Sequence, residues 1–173
     1  MTGRLVALLG AECTGKSTLA HALAAHFKAG LVAEYLREWC ATHGRTPQRH
    51  EQAHIAQVQA TRIAAAAREH ELVICDTTPL ITALFSEHYF GDASLTAQAL
   101  DFQRRCALNL VCDPDLPWQA DGFLRDGPQA RTDVDTRLRA VLGDAGLPYA
   151  DIDGDWPQRQ ELARRAVQDL LQT

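Results

Sequence analysis

Hydrophobic residues fall into five short apolar runs, separated by longer stretches in which they recur every three or four positions. The runs lie at residues 5–9, about 31–33, 72–75, 108–112 and about 149–152. A short run that is apolar throughout, rather than alternating, reads as a strand covered on both faces, as in a parallel sheet. Between the runs the period becomes helical. Leu19, Leu23 and Phe27, with Ala20 and Ala24 beside them, share one helical face. Residues 50–70 are rich in Ala, Gln, Arg and His and contain no breaker, and residues 95–107 carry Leu95, Ala99, Leu100 and Phe102 after a Gly-Asp turn. Residues 157–171 open on a proline and set Leu162, Ala166, Val167, Leu170 and Leu171 on one side. Strands alternating with helices predict an α/β domain over residues 1–173. Its five-stranded parallel sheet would carry helices on both faces and right-handed crossovers. In such sheets ligands bind beyond the C-terminal ends of the strands, so the residues following each run are the ones to read for chemistry.

Composition adds mainly exclusions. Hydrophobic residues make up 46% and charged residues 23%, and the net charge of −5 is wrong for a surface that coats nucleic acid. No run of 18 apolar residues is present to span a membrane, and the first strand starts by residue 4 or 5. The expectation is a cytoplasmic protein with neither nucleic-acid nor membrane partners; no feature sets an oligomeric state. Five cysteines without C-x-x-C spacing support neither a zinc site nor a disulfide framework. His50 and His54 have the i, i+4 spacing of a metal pair but no third ligand nearby, and read as a solvated helix face.

The strongest local signal follows the first run. Gly10-Ala11-Glu12-Cys13-Thr14-Gly15-Lys16-Ser17 is a complete G-x-x-x-x-G-K-[ST] phosphate loop, with Thr18 next. Its glycines allow a tight turn that aims backbone N–H groups at phosphates. Lys16 reaches the β/γ-phosphates, and the Ser17 hydroxyl suits Mg²⁺. The strand before and helix after place a helix N-terminus against the anion. ATP and Mg²⁺ are therefore the expected ligands.

The other strand ends add candidates. Glu34-Tyr35-Leu36-Arg37-Glu38 puts a carboxylate, an aromatic ring and an arginine within one turn, which reads as an acceptor site or as a charged helix start. In the first reading Glu34 orients or deprotonates a hydroxyl and Arg37 pairs with an anion. Asp76 directly follows an apolar strand, the position of the carboxylate that orients Mg²⁺ in P-loop sites, and it can also cap the next helix. Residues 114–132 contain several Pro and Gly residues, Trp118, Asp121, Arg125 and Arg131, and read as a mobile lid. Its arginines would close over the transferred phosphoryl group, and Trp118 would offer a flat face to a ring. Asp153-Gly154-Asp155 would lie near the nucleotide base or simply cap a helix.

Taken together, Gly10 to Thr18, Glu34-Tyr35-x-Arg37-Glu38, Asp76-Thr77 and Asp115-Leu-Pro117-Trp118-x-x-Asp121-Gly122-x-x-Arg125 resemble the ribosylnicotinamide kinase domain of bifunctional NAD-biosynthesis/repressor proteins. They equally resemble its stand-alone AAA-type ATPase relatives. The resemblance runs through almost the whole chain in order. It implies a P-loop fold of the nucleoside/nucleotide-kinase type and transfer of the ATP γ-phosphate to the 5′-hydroxyl of nicotinamide riboside. Under that reading Lys16, Glu34, Asp76, Arg125 and Arg131 are catalytic, while Glu34, Tyr35, Arg37, Trp118 and Asp121 bind the acceptor. Two departures concern the acceptor: these kinases carry Trp where this chain has Ala33, and the Asp-Gly-x-Arg spacing is one residue longer here. Kinases for another nucleoside or vitamin precursor, and an ATP-dependent regulatory switch, stay open. No guanine-reading Asn/Thr-Lys-x-Asp motif is present, and no DNA-recognition module or basic patch precedes the loop.

Overall fold

The computed structural model describes residues 3–119 and 127–172. Strand β1 (Arg4–Leu9) leads through the phosphate loop into α1 (Lys16–Phe27), then β2 (Gly30–Val32) and α2 (Tyr35–His43). Helix α3 (Gln52–Glu69) precedes β3 (Leu72–Asp76), α4 (Pro79–Phe90) and α5 (Thr96–Gln103). The chain continues through β4 (Leu108–Cys112), α6 (Pro128–Asp144), β5 (Ala150–Ile152) and α7 (Trp156–Gln172). The five strands form one parallel sheet in the order β2-β3-β1-β4-β5.

The central strand explains why its sequence is apolar without alternation. Val6 and Leu8 pack with Leu19, Leu23, Ala163 and Val167, so α1 and α7 cover one face. Ala7 and Leu9 pack with α4, α5 and α6, and Leu5 with Ile63 and Ala67 of α3, on the other face. Both faces being dry, each position of β1 after Arg4 is buried and must be apolar.

Three details differ from the sequence pattern. In α7 the buried face carries Arg159, Ala163 and Val167, whereas Leu162 and Leu171 are 40% and 46% exposed. Those two leucines sit about a quarter-turn to either side of the buried stripe. The C-terminal part of the 114–132 segment is not loop, because Pro128 occupies the first turn of α6. Proline suits that position: its ring presets φ and the missing N–H would have no helical partner. Helix α4 is buried on most sides, which hides its period behind a continuous apolar composition.

Candidate active site

The phosphate loop owes its shape to two glycines. Gly10 has φ +137°, and a Cβ there would stand 2.7 Å from the Cys112 carbonyl oxygen, so only glycine lets β1 turn away beside β4. Gly15 is the left-handed residue before α1, with φ +79°, and no side chain caps that helix. The first-turn N–H groups of α1 are thus left to an anion. Inside the loop the buried Thr14 hydroxyl donates to Ala11 O at 2.9 Å. The Lys16 ammonium folds back to donate to Ala11 O at 2.6 Å and lies 3.4 Å from Thr14 Oγ1. A side chain hydrogen-bonded to a carbonyl and a hydroxyl can exchange both for phosphate oxygens.

The loop forms one wall of a cleft of about 670 Å³, a volume typical of small-molecule sites. Glu12, Cys13, Thr14, Gly15, Lys16, Ser17 and Thr18 line that wall. Ala33, Glu34, Arg37 and Glu38 line the opposite wall, and Asp76 lies between them. The sheet order dictates this arrangement: β1, β3 and β2 are successive neighbours, so the loop, Asp76 and Glu34 emerge side by side.

Glu34 is 18% exposed, with Arg37 Nε 3.9 Å from its carboxylate. Burial raises its pKa above the ordinary 4.5; Lys16 and Arg37 oppose that shift and the Asp76 charge adds to it. Asp76 is 4% exposed, and its Oδ1 is buried without a protein hydrogen-bond partner. Such an atom costs free energy unless something polar reaches it. An orphaned carboxylate oxygen in the cleft that Ser17 also lines fits a hard, oxygen-ligated cation such as Mg²⁺. No cluster of three or more His, Cys, Asp or Glu side chains suited to a metal occurs among the described residues. His54 instead meets the Tyr35 ring edge-on at 6.3 Å.

Tyr35 itself turns away from the cleft. Its ring packs beneath the Arg62 guanidinium, 4.5 Å from the ring centroid, and beside Trp39, Cys40 and Ile55. An aromatic ring at the start of α2 gains more from burial against α3 than from the cleft. Trp118 lies over the phosphate loop, donating from Nε1 to Glu12 Oε1 at 3.3 Å. Residues 116–119 run as a strap across that loop. The Cys13 thiol donates to Pro117 O at 3.6 Å, and Leu116 Cδ1 comes within 3.3 Å of where a Gly15 Cβ would stand. Arg131 joins the strap by donating to Leu116 O at 2.8 Å. Asp121 and Arg125 lie outside the described residues.

Two of the buried polar residues that escaped the sequence reading bear on this site. Arg159 of α7 is 1% exposed and donates to Thr14 O, Asp113 O and Gly154 O while pairing with the Asp115 carboxylate. One guanidinium therefore joins the phosphate loop, the base of the strap and the turn after β5. Gln59 of α3 links the ends of β2 and β3. Both stand in i, i+4 register with buried apolar neighbours, and a polar residue in that register is the signal that could have found them.

The fold and this cleft define a P-loop protein of the nucleoside-kinase structural type. The chain belongs to the AAA domain family, whose profile matches residues 5–159. It is 32% identical over 175 residues to the trifunctional NAD biosynthesis/regulator protein NadR of Salmonella typhimurium, covering 95% of this chain and 43% of that protein. The chain thus spans less than half the length of the curated relatives that it matches. Among solved structures, NadR protein in complex with NAD and AMP-PNP superposes with a TM-score of 0.78 at 19% identity, covering 99% of this chain and 50% of that one. A NadR complex with NR gives 0.77. A deoxyadenosine kinase of M. mycoides gives 0.69 at 14% identity, over 95% of this chain and 99% of that one. No helix among the described residues is long and apolar enough to cross a membrane.

Proposed function

We propose that this chain transfers the γ-phosphoryl group of ATP to the 5′-hydroxyl of nicotinamide riboside, giving nicotinamide mononucleotide and ADP. The observation that carries this reading is the partly buried Glu34 carboxylate facing an intact phosphate loop across one cleft. The relationship to NadR, a protein of NAD biosynthesis that has been crystallised with NR, supports the choice of acceptor.

Each residue has a role that its position permits. The loop amides and Lys16 hold the β- and γ-phosphates, with Glu12, Cys13, Thr14 and Thr18 completing the cradle. Ser17 and Asp76 would hold Mg²⁺, which would supply charge neutralisation at the phosphates. Glu34 accepts the hydrogen bond, then the proton, of the attacking hydroxyl. Its raised pKa brings its basicity closer to working pH. The new bond forms between the acceptor oxygen and the γ-phosphorus as the bond to the β-phosphate oxygen breaks. Arg37 stands at the acceptor mouth, Trp118 steadies the strap, and Arg131, with Asp121 and Arg125, belongs to the closing segment. Positioning and charge stabilisation supply most of the rate, so no covalent enzyme intermediate is needed.

ADP release measured with and without nicotinamide riboside, with the product weighed by mass spectrometry, tests the assignment. Strong stimulation and a riboside heavier by one phosphate are expected. Slow hydrolysis that the riboside does not stimulate refutes this acceptor. Ala33, exposed on the acceptor wall, leaves space there that another nucleoside could fill.

Replacing Arg131 tests the closing segment. Arg131→Ala should slow transfer by up to about a hundredfold, the scale of one lost charge-stabilising donor. The acceptor KM should stay nearly constant. A rise in KM alone would move Arg131 to the acceptor site.

A further inference from the structure

We propose that Gln59 is a positioning residue that sets the separation of Glu34 and Asp76 by tying together the backbone that follows each of them. This rests on the kinase reading above for the work the two carboxylates do, but not for the geometry. Gln59 is 2% exposed on the buried face of α3, between Ile55 at 1% and Ile63 at 0%. A primary amide among isoleucines is costly unless both of its ends are satisfied. Both ends are. Its Oε1 accepts from the Tyr35 amide at 2.8 Å, and its Nε2 donates to the Thr77 carbonyl at 3.4 Å.

These partners are the residues immediately after Glu34 and Asp76. Tyr35 is the first residue of α2, whose N-terminus has no capping side chain of its own, so an amide from another helix does that job. Thr77 has φ +69°, a left-handed conformation that a β-branched residue adopts only when its surroundings hold it there. Two bonds hold it: its own N–H to Leu8 O at 3.2 Å, and its carbonyl to Gln59. Asp76 Oδ1 has no protein partner, and Glu34 has Arg37 only at 3.9 Å. The carboxylates are thus placed from the backbone outward, and among the described residues Gln59 is the side chain that grips both backbones.

The test is a double-mutant cycle on the full chain. Gln59→Met keeps the length and burial while deleting both bonds. It should lower kcat by about tenfold to a hundredfold, the scale of a reacting group misplaced by roughly an ångström. Acceptor KM and metal-free AMP-PNP affinity should stay within about threefold of wild type. In a Glu34→Gln background the same change should cost clearly less than it does in wild type, because the part of its effect that acts through Glu34 is already lost and only the part through Asp76 remains. Additive losses would reduce Gln59 to a packing residue and overturn the proposal.

A second pair of variants guards against simple misfolding. Tyr35→Pro removes the N–H, at a first-turn position that accepts proline, along with the ring, and Tyr35→Ala controls for the lost ring. Tyr35→Pro should reproduce the kcat loss beyond that of Tyr35→Ala; equal rates for the two overturn the Tyr35 half of the clamp. A calorimetric arm needs no acceptor. The gain in AMP-PNP affinity on adding Mg²⁺ should shrink in Gln59→Met, because Asp76 is displaced. If wild type phosphorylates no acceptor, the kinase reading falls and this arm decides alone: a reduced gain supports the clamp and an unchanged gain overturns it.

Discussion

Lys16→Ala should abolish phosphoryl transfer, lowering kcat by about a thousandfold or more, at the upper end of what one transition-state donor contributes. Lys16 is 9% exposed, in a site where charge is poorly screened, and its bonds to Ala11 O and Thr14 Oγ1 are easily traded for phosphate oxygens. Negative charge shifts toward the β/γ bridge as the γ-phosphoryl group departs, so Lys16 binds the transition state better than the ground state. The loss should therefore fall more on kcat than on AMP-PNP affinity. Lys16→Arg should rescue poorly, because a planar fork does not fit a seat shaped for a point charge. Steady-state ADP release and calorimetry of AMP-PNP binding, with a circular dichroism control, check this. Turnover within about tenfold of wild type would remove Lys16 from the chemistry.

The parts of this architecture that were legible in the sequence are those whose cause is local. The phosphate loop is a run of contiguous residues whose turn is forced by Gly10 and Gly15, and its motif needs no tertiary context to be recognised. Strand β1 and the apolar run of β3 up to Cys75 were visible because burial on both faces forbids polar interruptions there. What escaped is what depends on distant partners. Arg159 is buried because Thr14, 145 residues away in sequence, offers it a carbonyl. Gln59 is buried because Tyr35 and Thr77 supply a donor and an acceptor 24 residues before and 18 after it. A pattern that assigns polar residues to the surface passes over both.

The same limit governs orientation. Glu34-Tyr35-x-Arg37 could be recognised as a unit. Which of its side chains entered the cleft was set by α3, whose Arg62 and His54 draw the Tyr35 ring the other way. The order β2-β3-β1, which brings Glu34 beside Asp76, is likewise a property of the assembled sheet. No single strand encodes it.

Glu34→Gln should act in opposite directions on turnover and on stability. Turnover should fall by about a hundredfold to ten-thousandfold, the usual contribution of a positioned general base, with AMP-PNP affinity changed only a few-fold. In wild type the acid limb of kcat/KM should lie above the ordinary glutamate value of 4.5, because burial, reinforced by the Asp76 charge, disfavours the ionised form. That limb should vanish in Glu34→Gln. The folded state binds this proton more tightly than the unfolded chain does. The stability it contributes is complete below about pH 4.5 and is lost as pH rises through the folded-state value. Above that range the ligand-free cleft therefore holds Glu34 at a cost to the fold, and the neutral amide should raise the midpoint of urea unfolding at pH 7. A residue kept at the expense of stability is what a functional carboxylate looks like energetically. Should Glu34→Gln leave turnover near wild type, the general base lies elsewhere. Should it lower the unfolding midpoint at pH 7, Glu34 is a structural partner of Lys16 and Arg37 rather than a strained base.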